Sequence, residues 1–195
     1  MPRIALYTFG ILKSSHETDK LADFESAAPT VFNEAETAEG FIAHGSLARP
    51  DLYGKSKLGH DFGPWGMYVA PRFYPDNPQP DDGTMIATLS LWRDVESARK
   101  FVYAGFHRAA LRRRSDWFRK PDWPGYVLWW VSDDHVPTWS EGANKLEALQ
   151  DNGPTASGFD FKTRFDSRDQ LVERIRDQAK PASARTYEVS LHEGG

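Results

Sequence analysis

The sequence predicts a single-domain α+β protein in which helices back an antiparallel sheet. Three observations lead to this prediction. Short runs rich in β-forming residues alternate with longer segments whose apolar side chains recur every three or four residues. The length of 195 residues suits one domain. The absence of cysteine excludes disulfides, thiolate metal sites and cysteine nucleophiles, so an apolar core must hold the fold together.

The chain begins with the order strand, helix, strand. Residues 4–9 are rich in β-forming side chains and predict the first strand. Apolar residues then recur with helical spacing over 21–35, and Pro29 within this stripe is expected to kink the helix or split it in two. Residues 41–44 predict the second strand.

A long insertion separates the two halves of the chain. Residues 45–66 are rich in Gly, Pro, Asp and Lys and predict a loop, which at this length tends to be functional. Phe62 and Trp65 are costly to leave in water, so we expect them to pack at the mouth of a cavity as part of a mobile lid. Residues 67–74 resemble a strand interrupted by Pro71, which predicts an edge strand or a bulge.

The second half repeats the order strand, helix, strand. Residues 85–92 predict a strand, and Asp94 is placed to cap the long helix that follows. We expect this helix to end before Pro121, with Gly105 as a point at which it can bend. Residues 126–131 predict another buried strand.

The C-terminal part is predicted to hold two more helices. A Thr-x-x-Glu capping box at 138–141 predicts a helix over 139–151. Alternation over 159–162 is typical of a short final strand, and the polar run 167–179 predicts a last helix. The remaining residues are expected to form a poorly ordered tail.

The predicted order is that of the split βαβ, ferredoxin-like fold. We assign this fold to a domain of residues 1–165 and leave 166–195 as a C-terminal helix and tail. Helices cover one face of such a sheet. The other face is apolar around Trp129 and Trp130, which predicts that a second copy covers it in a two-fold homodimer.

Composition and motifs exclude several classes of function. A net charge of −4 gives no indication of nucleic-acid binding. No apolar run approaches the roughly 20 residues of a membrane helix, and the N-terminus lacks a signal-peptide pattern. We therefore expect a cytoplasmic protein without membrane or nucleic-acid partners. Phosphate loops, dinucleotide fingerprints and nucleophile elbows are absent from the sequence.

The histidines and aromatic residues are the remaining candidates for a site. His44 ends a strand, His60 precedes Asp61 in the long loop, and His135 follows two aspartates. No pair has the spacing of a good metal site, so we reject a histidine-cluster zinc site. The 13% aromatic content indicates either a core built from large rings or a pocket for a flat apolar ligand.

Several motifs occur in a fixed order along residues 4–165. They are Leu6-Tyr7-Thr8-Phe9-Gly10-Ile11-Leu12-Lys13, Leu89-Ser90-Leu91-Trp92, Phe101-Val102-Tyr103, His107, Leu111-Arg112-Arg113-Arg114, Trp117-Phe118, Leu128-Trp129-Trp130-Val131 and His135-Val136-Pro137-Thr138. With these motifs the chain resembles an uncharacterised bacterial family related to the antibiotic biosynthesis monooxygenases. The link to that superfamily rests on Trp92 at a strand end, an acidic helix start, Phe101 and His107.

The resemblance implies a dimeric α/β barrel with a ligand cavity between the sheet and the helices of each subunit. The superfamily includes cofactor-free oxygenases, haem-binding and haem-degrading enzymes, dehydratases, isomerases and simple binders, so the fold does not settle the function. Haem as a cofactor and a cofactor-free site both remain open. In haem-binding relatives the axial histidine lies on the corresponding helix, and His107 is the position that matches it.

His107 is the first candidate for a catalytic residue. Tyr103, His107 and Arg114 share one stripe of the predicted helix. A histidine at this position can act as a base near a bound phenol or enol, and an arginine suits a carboxylate such as a haem propionate. The alternative is a structural histidine that bonds a backbone carbonyl.

Three hypotheses for the function follow. The first is a small-molecule enzyme for an apolar, aromatic or polycyclic substrate, with His107, Tyr103 and Arg114 as catalytic residues. Residues expected near its pocket are Tyr7, Tyr103, Trp92 and Trp129. The second is a haem protein in which His107 ligates iron beside Arg114, Trp92 and Trp129. The third is a non-catalytic dimeric binding protein.

Overall fold

A computed structural model describes residues 1–13, 18–48, 57–79 and 82–174 of the chain. The strands are β1 (Arg3–Ile11), β2 (Phe41–His44), β3 (Met85–Trp92), β4 (Tyr126–Val131), β5 (Thr163–Phe165) and β6 (Leu171–Arg174). The α-helices are α1 (Thr18–Thr37), α2 (Val95–Val102), α3 (Gly105–Trp117) and α4 (Trp139–Asn152). Two short 3-10 helices lie at Gly45–Ala48 and Gly63–Trp65.

The main sheet has four antiparallel strands in the order β2-β3-β1-β4, and β5 and β6 form a separate hairpin. β1 lies in the centre, where Tyr7 is opposite Leu89 of β3 and Val127 of β4. Together with the order of helices and strands, this pairing confirms the predicted ferredoxin-like α+β fold. β1 to β4 have the predicted positions, and the apolar runs of β1, β3 and β4 supply most of the residues that the sheet buries.

The two faces of the sheet are covered by different parts of the same chain. One face packs against α4, and we call it the α4 face. Its core includes Tyr7, Leu89 and Trp129 from the sheet with Trp139 and Leu146 from α4. The other face, here the α1–α3 face, lies beneath α1, α2 and α3. Its core residues include Ile4, Leu6, Ala35, Trp92, Ala98 and Leu128.

The long insertion adds to the cover on the α4 face. Phe62 is 1% exposed and, like Trp65, belongs to the same core as Trp139. The Phe62 and Trp139 rings meet edge to face with centroids 5.5 Å apart. These aromatic residues are therefore fixed in the core, and the prediction that they lie at a cavity mouth is wrong.

The coverage of the α4 face removes the reason for a sheet-on-sheet dimer. That prediction assumed an apolar face with no intramolecular cover, whereas α4 and the insertion fill this position. A second copy has no access to Trp129 there, since this residue is only 2% exposed. The ferredoxin-like part of the prediction is confirmed, and the homodimer stays a prediction.

Residues 67–74 do not form the predicted edge strand. Within this segment Met67 makes a single bridge to Asp61, and Tyr68 points into the core. The Tyr68 hydroxyl accepts a hydrogen bond from the Ala87 N–H at 2.9 Å. β2 pairs with only the last residues of β3, so the backbone of β3 at Ala87 is free on that side, and the Tyr68 hydroxyl bonds it there. Burial of Tyr68 places residues 67–74 across the α4 face of the sheet.

The helices differ from prediction at two places. α1 continues through Pro29 as one helix, so of the two predicted effects of Pro29, a kink or a split, the split does not occur. The predicted long helix after Asp94 is two helices, because the chain turns between α2 and α3 and Gly105 has a φ of +46°. Asp94 caps α2 as predicted, with its carboxylate accepting from the Ser97 N–H at 2.7 Å.

The C-terminal region confirms one predicted helix and replaces another. Thr138 and Glu141 form the predicted capping box at the start of α4. Over 171–174 the chain is strand β6 rather than part of a helix over 167–179. The strand expected at 159–162 is a single bridge from Phe159 to Leu128, and β5 starts after it. The end of the predicted helix at 175–179 and the tail predicted from Pro181 lie outside the described residues, and the division after 165 stays a prediction.

Candidate functional site

The centre of the α1–α3 face is partly open. Thr8 on the central strand β1 is partly exposed, and so is Ser90, where β2 pairs with β3. Ile86 and Thr88, on the part of β3 beyond the end of β2, are also partly exposed. On the opposite face of the same strands, Tyr7 is 0% exposed. The helices therefore do not close over this part of the sheet. We call the gap above these four residues the helix-side cleft.

The floor of the helix-side cleft carries hydroxyl groups. Thr8 and Thr88 are opposite each other across β1 and β3, and their Oγ1 atoms are 2.7 Å apart. The Ser90 Oγ accepts a hydrogen bond from Trp92 Nε1 at 2.9 Å. Since a hydroxyl both donates and accepts, this floor can offer hydrogen bonds to a ligand.

His44 forms one wall of the helix-side cleft. It is opposite Ser90 across β2 and β3, and directly opposite residues of an antiparallel pair point to the same face. Its ring stacks on Phe32 of α1 with centroids 5.1 Å apart. The side chain is buried at the side of the floor where β2 ends.

A carboxylate orients the His44 ring. The Nε2 atom lies 3.3 Å from Glu36 Oε1, and an ionised carboxylate can only accept, so we assign the hydrogen to Nε2. Nδ1 then carries a lone pair, and it is buried without a hydrogen-bond partner among the described residues. Burial lowers the pKa of His44 below its usual value, so the ring is neutral at pH 7.

Lys57 is the second charged group near His44. Its Nζ donates to Ser46 Oγ at 3.2 Å. Burial lowers the pKa of Lys57, and its positive charge helps to lower the pKa of His44. Glu36 and Lys57 therefore act on His44 with opposite charges. Among the described residues, no group of three or more His, Asp or Glu side chains is arranged to bind a metal ion.

His107 lies at the junction of α2 and α3. Its Nδ1 is 2.9 Å from the Val102 carbonyl oxygen, and its ring centroid is 4.8 Å from that of Phe101. Phe101 in turn stacks on Trp92 at 5.1 Å. Burial lowers the pKa of His107, so its ring is neutral at pH 7. The contact to a backbone carbonyl is the geometry of the structural alternative considered for this residue.

The backbone around His107 is fixed by a carboxylate of α1. Glu34 accepts hydrogen bonds from the N–H groups of Phe106 and His107, at 3.1 and 3.0 Å. A Cβ on Gly105 would come within 1.7 Å of Glu34 Oε1, so glycine leaves room for this carboxylate. The N-terminus of α3 is thus already occupied by an anion.

The other predicted site residues do not gather around His107. Tyr103 is 48% exposed and packs against Phe161, and Arg114 is exposed on α3. Trp92 reaches His107 through Phe101. Trp129 and Tyr7 belong to the core of the α4 face, on the opposite side of the sheet. The residues predicted to hold haem, which are His107, Arg114, Trp92 and Trp129, thus do not surround one volume and do not fit that group.

The sequence interpretation missed the pair of His44 and Glu36. The sequence pattern presents His44 only as a candidate metal ligand and gives no role to Glu36. A signal was present in Thr8, Thr88 and Ser90, which are hydroxyl residues at helix-facing positions of otherwise apolar strands. Polar residues at core positions are a mark of function when nothing structural requires them.

A family model described as "Domain of unknown function (DUF3291)" matches residues 3–175. A comparison with curated proteins finds no match. No helix in the described part of the chain is both long and apolar enough to cross a membrane.

Solved structures with a similar arrangement of elements come from several organisms. The "NE2512 protein of unknown function" of Nitrosomonas europaea has a TM-score of 0.41 and 11% identity, covering 70% of this chain and 96% of its own. Rv0793 of Mycobacterium tuberculosis has a TM-score of 0.39 and 7% identity, with coverage of 70% and 98%. A "Putative antibiotic biosynthesis monooxygenase" of Nitrosomonas europaea has a TM-score of 0.38 and 10% identity, with coverage of 70% and 93%.

Proposed function

The chain belongs to the DUF3291 family, and we propose that it is a small-molecule enzyme whose substrate binds in the helix-side cleft. The substrate would be an apolar, aromatic or polycyclic compound that carries a hydroxyl or carbonyl group. One observation carries this proposal: Thr8 on the central strand, Ser90 where β2 pairs with β3, and the neighbouring Thr88 are partly exposed, although the opposite face of both strands is closed.

The chemistry of the cleft supports this class of ligand. Ligand sites are concave and mainly apolar, with a few polar groups that fix orientation. Phe32 and Ile86 supply apolar surface, and the paired hydroxyls of Thr8 and Thr88 supply hydrogen bonds. A flat ring with one polar substituent satisfies both kinds of contact.

A binding assay with 1-naphthol tests the proposal. This compound is a flat phenol whose fluorescence changes when it leaves water. Thr88→Val keeps the shape of the side chain and removes its hydroxyl, so binding should weaken about fivefold, as expected for one hydrogen bond of about 1 kcal/mol. Thr88→Leu should abolish binding by filling the cleft. The control is Thr84→Val, because Thr84 is exposed just before β3.

The proposal fails if native protein does not bind 1-naphthol, or if Thr88→Leu binds it as well as the native protein. A second measurement separates an oxygen-consuming enzyme from a binding protein. Aerobic incubation with 1-naphthol in an oxygen electrode should show oxygen uptake that depends on the open cleft. Tight binding without turnover would instead favour the alternative of a non-catalytic binding protein. The homodimer proposed for that alternative would need a surface other than the α4 face.

A further inference from the structure

We propose that His44 is the proton acceptor of the helix-side cleft, and that it takes a proton from the hydroxyl group of a bound phenol or enol. Glu36 is the positioning residue that orients the His44 ring. This inference rests on the proposed function and names the residue and the class of substrate that the site would use.

The position of His44 in the sheet places it beside the polar floor. His44, Ser90 and Leu6 are neighbours on adjacent strands and point to the same face. Thr88 lies two residues before Ser90 on the same face of β3. A ligand bound over the hydroxyls of Thr88 and Ser90 would therefore have the His44 ring at its side.

The Nδ1 atom of His44, which would accept the proton, makes no hydrogen bond in the described part of the protein. Glu36 holds the Nε2–H, so the lone pair of Nδ1 is the only acceptor that the ring can offer. Nδ1 has no partner in the described part of the protein, and a buried polar atom without a partner is unfavourable. A ligand hydroxyl at this atom would supply the missing hydrogen bond.

Contact between Nδ1 and a ligand requires a small movement of the cleft wall. Nδ1 has no contact with solvent in the empty site. The partly exposed Phe32 is the aromatic side chain stacked on the His44 ring, and we expect its rotation to open this edge of the cleft.

The proposed step is a simple proton transfer. The O–H bond of the ligand breaks, and its electron pair stays on oxygen as a phenolate or enolate. A new N–H bond forms at Nδ1, while the Nε2–H remains directed at Glu36. Glu36 from α1 stabilises the imidazolium that results, whereas the positive charge of Lys57 opposes it. No oxidant or other reactant is needed.

The other histidines with assigned contacts are less suited to this step. His107 has its Nδ1 beside the Val102 carbonyl, and the nearby Glu34 carboxylate accepts from the His107 backbone N–H. His135 also pairs with a carboxylate, with Nε2 2.9 Å from Glu141 Oε1, but this pair is exposed at the start of α4. His135 therefore supplies a matched control, since it is a histidine and glutamate pair away from the cleft.

The test uses 4-nitrophenol, whose phenolate is yellow and whose neutral form is not. In a buffer one pH unit below its own pKa, about one-tenth of the free probe is ionised. Native protein in excess should raise the ionised fraction of bound probe at least twofold, because pairing of the phenolate with the His44 imidazolium beside Glu36 must outweigh the burial that lowers the pKa of His44. His44→Gln should bind the probe without this colour change, and Glu36→Gln should reduce it. His135→Gln and His107→Gln should leave it unchanged.

Nuclear magnetic resonance of the native protein gives a result that does not depend on the folding of a variant. With 4-nitrophenol bound, the ring nitrogens of His44 should take the chemical shifts of an imidazolium. If 4-nitrophenol displaces 1-naphthol but stays neutral, the inference is overturned while the binding site stands. The same conclusion follows if His44→Gln still produces the colour. If neither compound binds, both the inference and the proposed function are overturned.

Discussion

Gly142 is the residue at which α4 comes closest to the sheet. A Cβ added there would lie 2.5 and 2.7 Å from two ring carbons of Tyr7 and 3.1 Å from its Cβ. Carbon atoms pack at about 3.5–4.0 Å, so Gly142→Ala forces a displacement of about 1 Å. Tyr7 cannot yield easily, because it is fully buried in the central strand.

The magnitude follows from two opposed effects. Overpacking of a core costs about 1–3 kcal/mol, and contacts this short with an immobile ring place Gly142→Ala near the upper end. The higher helix propensity of alanine than of glycine stabilises the folded state by about 1 kcal/mol. We therefore expect a net loss of about 2 kcal/mol in the free energy of unfolding. For a chain of this length that corresponds to a fall of about 4–8 °C in Tm.

Urea unfolding followed by circular dichroism measures this loss. Ala148→Gly is the control for helix propensity alone, since Ala148 is exposed on α4, and it should cost about 1 kcal/mol. In a Tyr7→Ala background most of the clash is removed, so Gly142→Ala should cost much less there. A native-background Gly142→Ala variant that is more stable than the native protein would show that α4 does not pack closely on Tyr7, and would refute the reasoning.

Two further predictions concern α1 and the buried histidines. Glu34→Ala removes the carboxylate that accepts from the Phe106 and His107 N–H groups. It should lower the free energy of unfolding in urea by about 1–2 kcal/mol, whereas the control Asn33→Ala should change it little. Because burial lowers the folded-state pKa of His44 and His107, stability should be constant above about pH 6.5 and fall as the pH drops from there through the lowered pKa values. Urea midpoints across this range should vary less in a variant with both histidines changed to Gln, and an equal slope would contradict the assignment.

The elements that could be predicted from the sequence are those specified by neighbouring residues. Thr138 and Glu141 are three residues apart and bond each other, so their capping box is a local signal. The four strands of the main sheet carry long apolar runs that few other structures can bury. By contrast, β6 at Leu171–Arg174 depends on pairing with β5, and the polar composition of 167–179 gave no indication of that partner.

The candidate site was less predictable because it depends on contacts between distant residues. His44 and Ser90 are 46 positions apart, and they become neighbours only through the register of β2 on β3. Glu36 reaches His44 because α1 returns over the sheet. His107 drew attention through its helical stripe, but its ring interacts with Phe101 and Val102 close by in the chain. Sequence spacing therefore indicated a histidine on a helix and gave no information on the pair in the cleft.

One face of the sheet is closed and the other is partly open. Along β1 and β3, alternate residues therefore contribute either to the stability of the core or to the choice of ligand. Positions such as Tyr7 and Leu89 are locked by α4 and should accept few substitutions. The alternate positions Thr8 and Thr88 border open space, where a change of side chain removes little packing. A library restricted to the alternate positions could therefore alter the choice of ligand while the protein keeps its melting temperature. One face of each strand would then hold the core, while residues on its other face could be exchanged to change ligand binding.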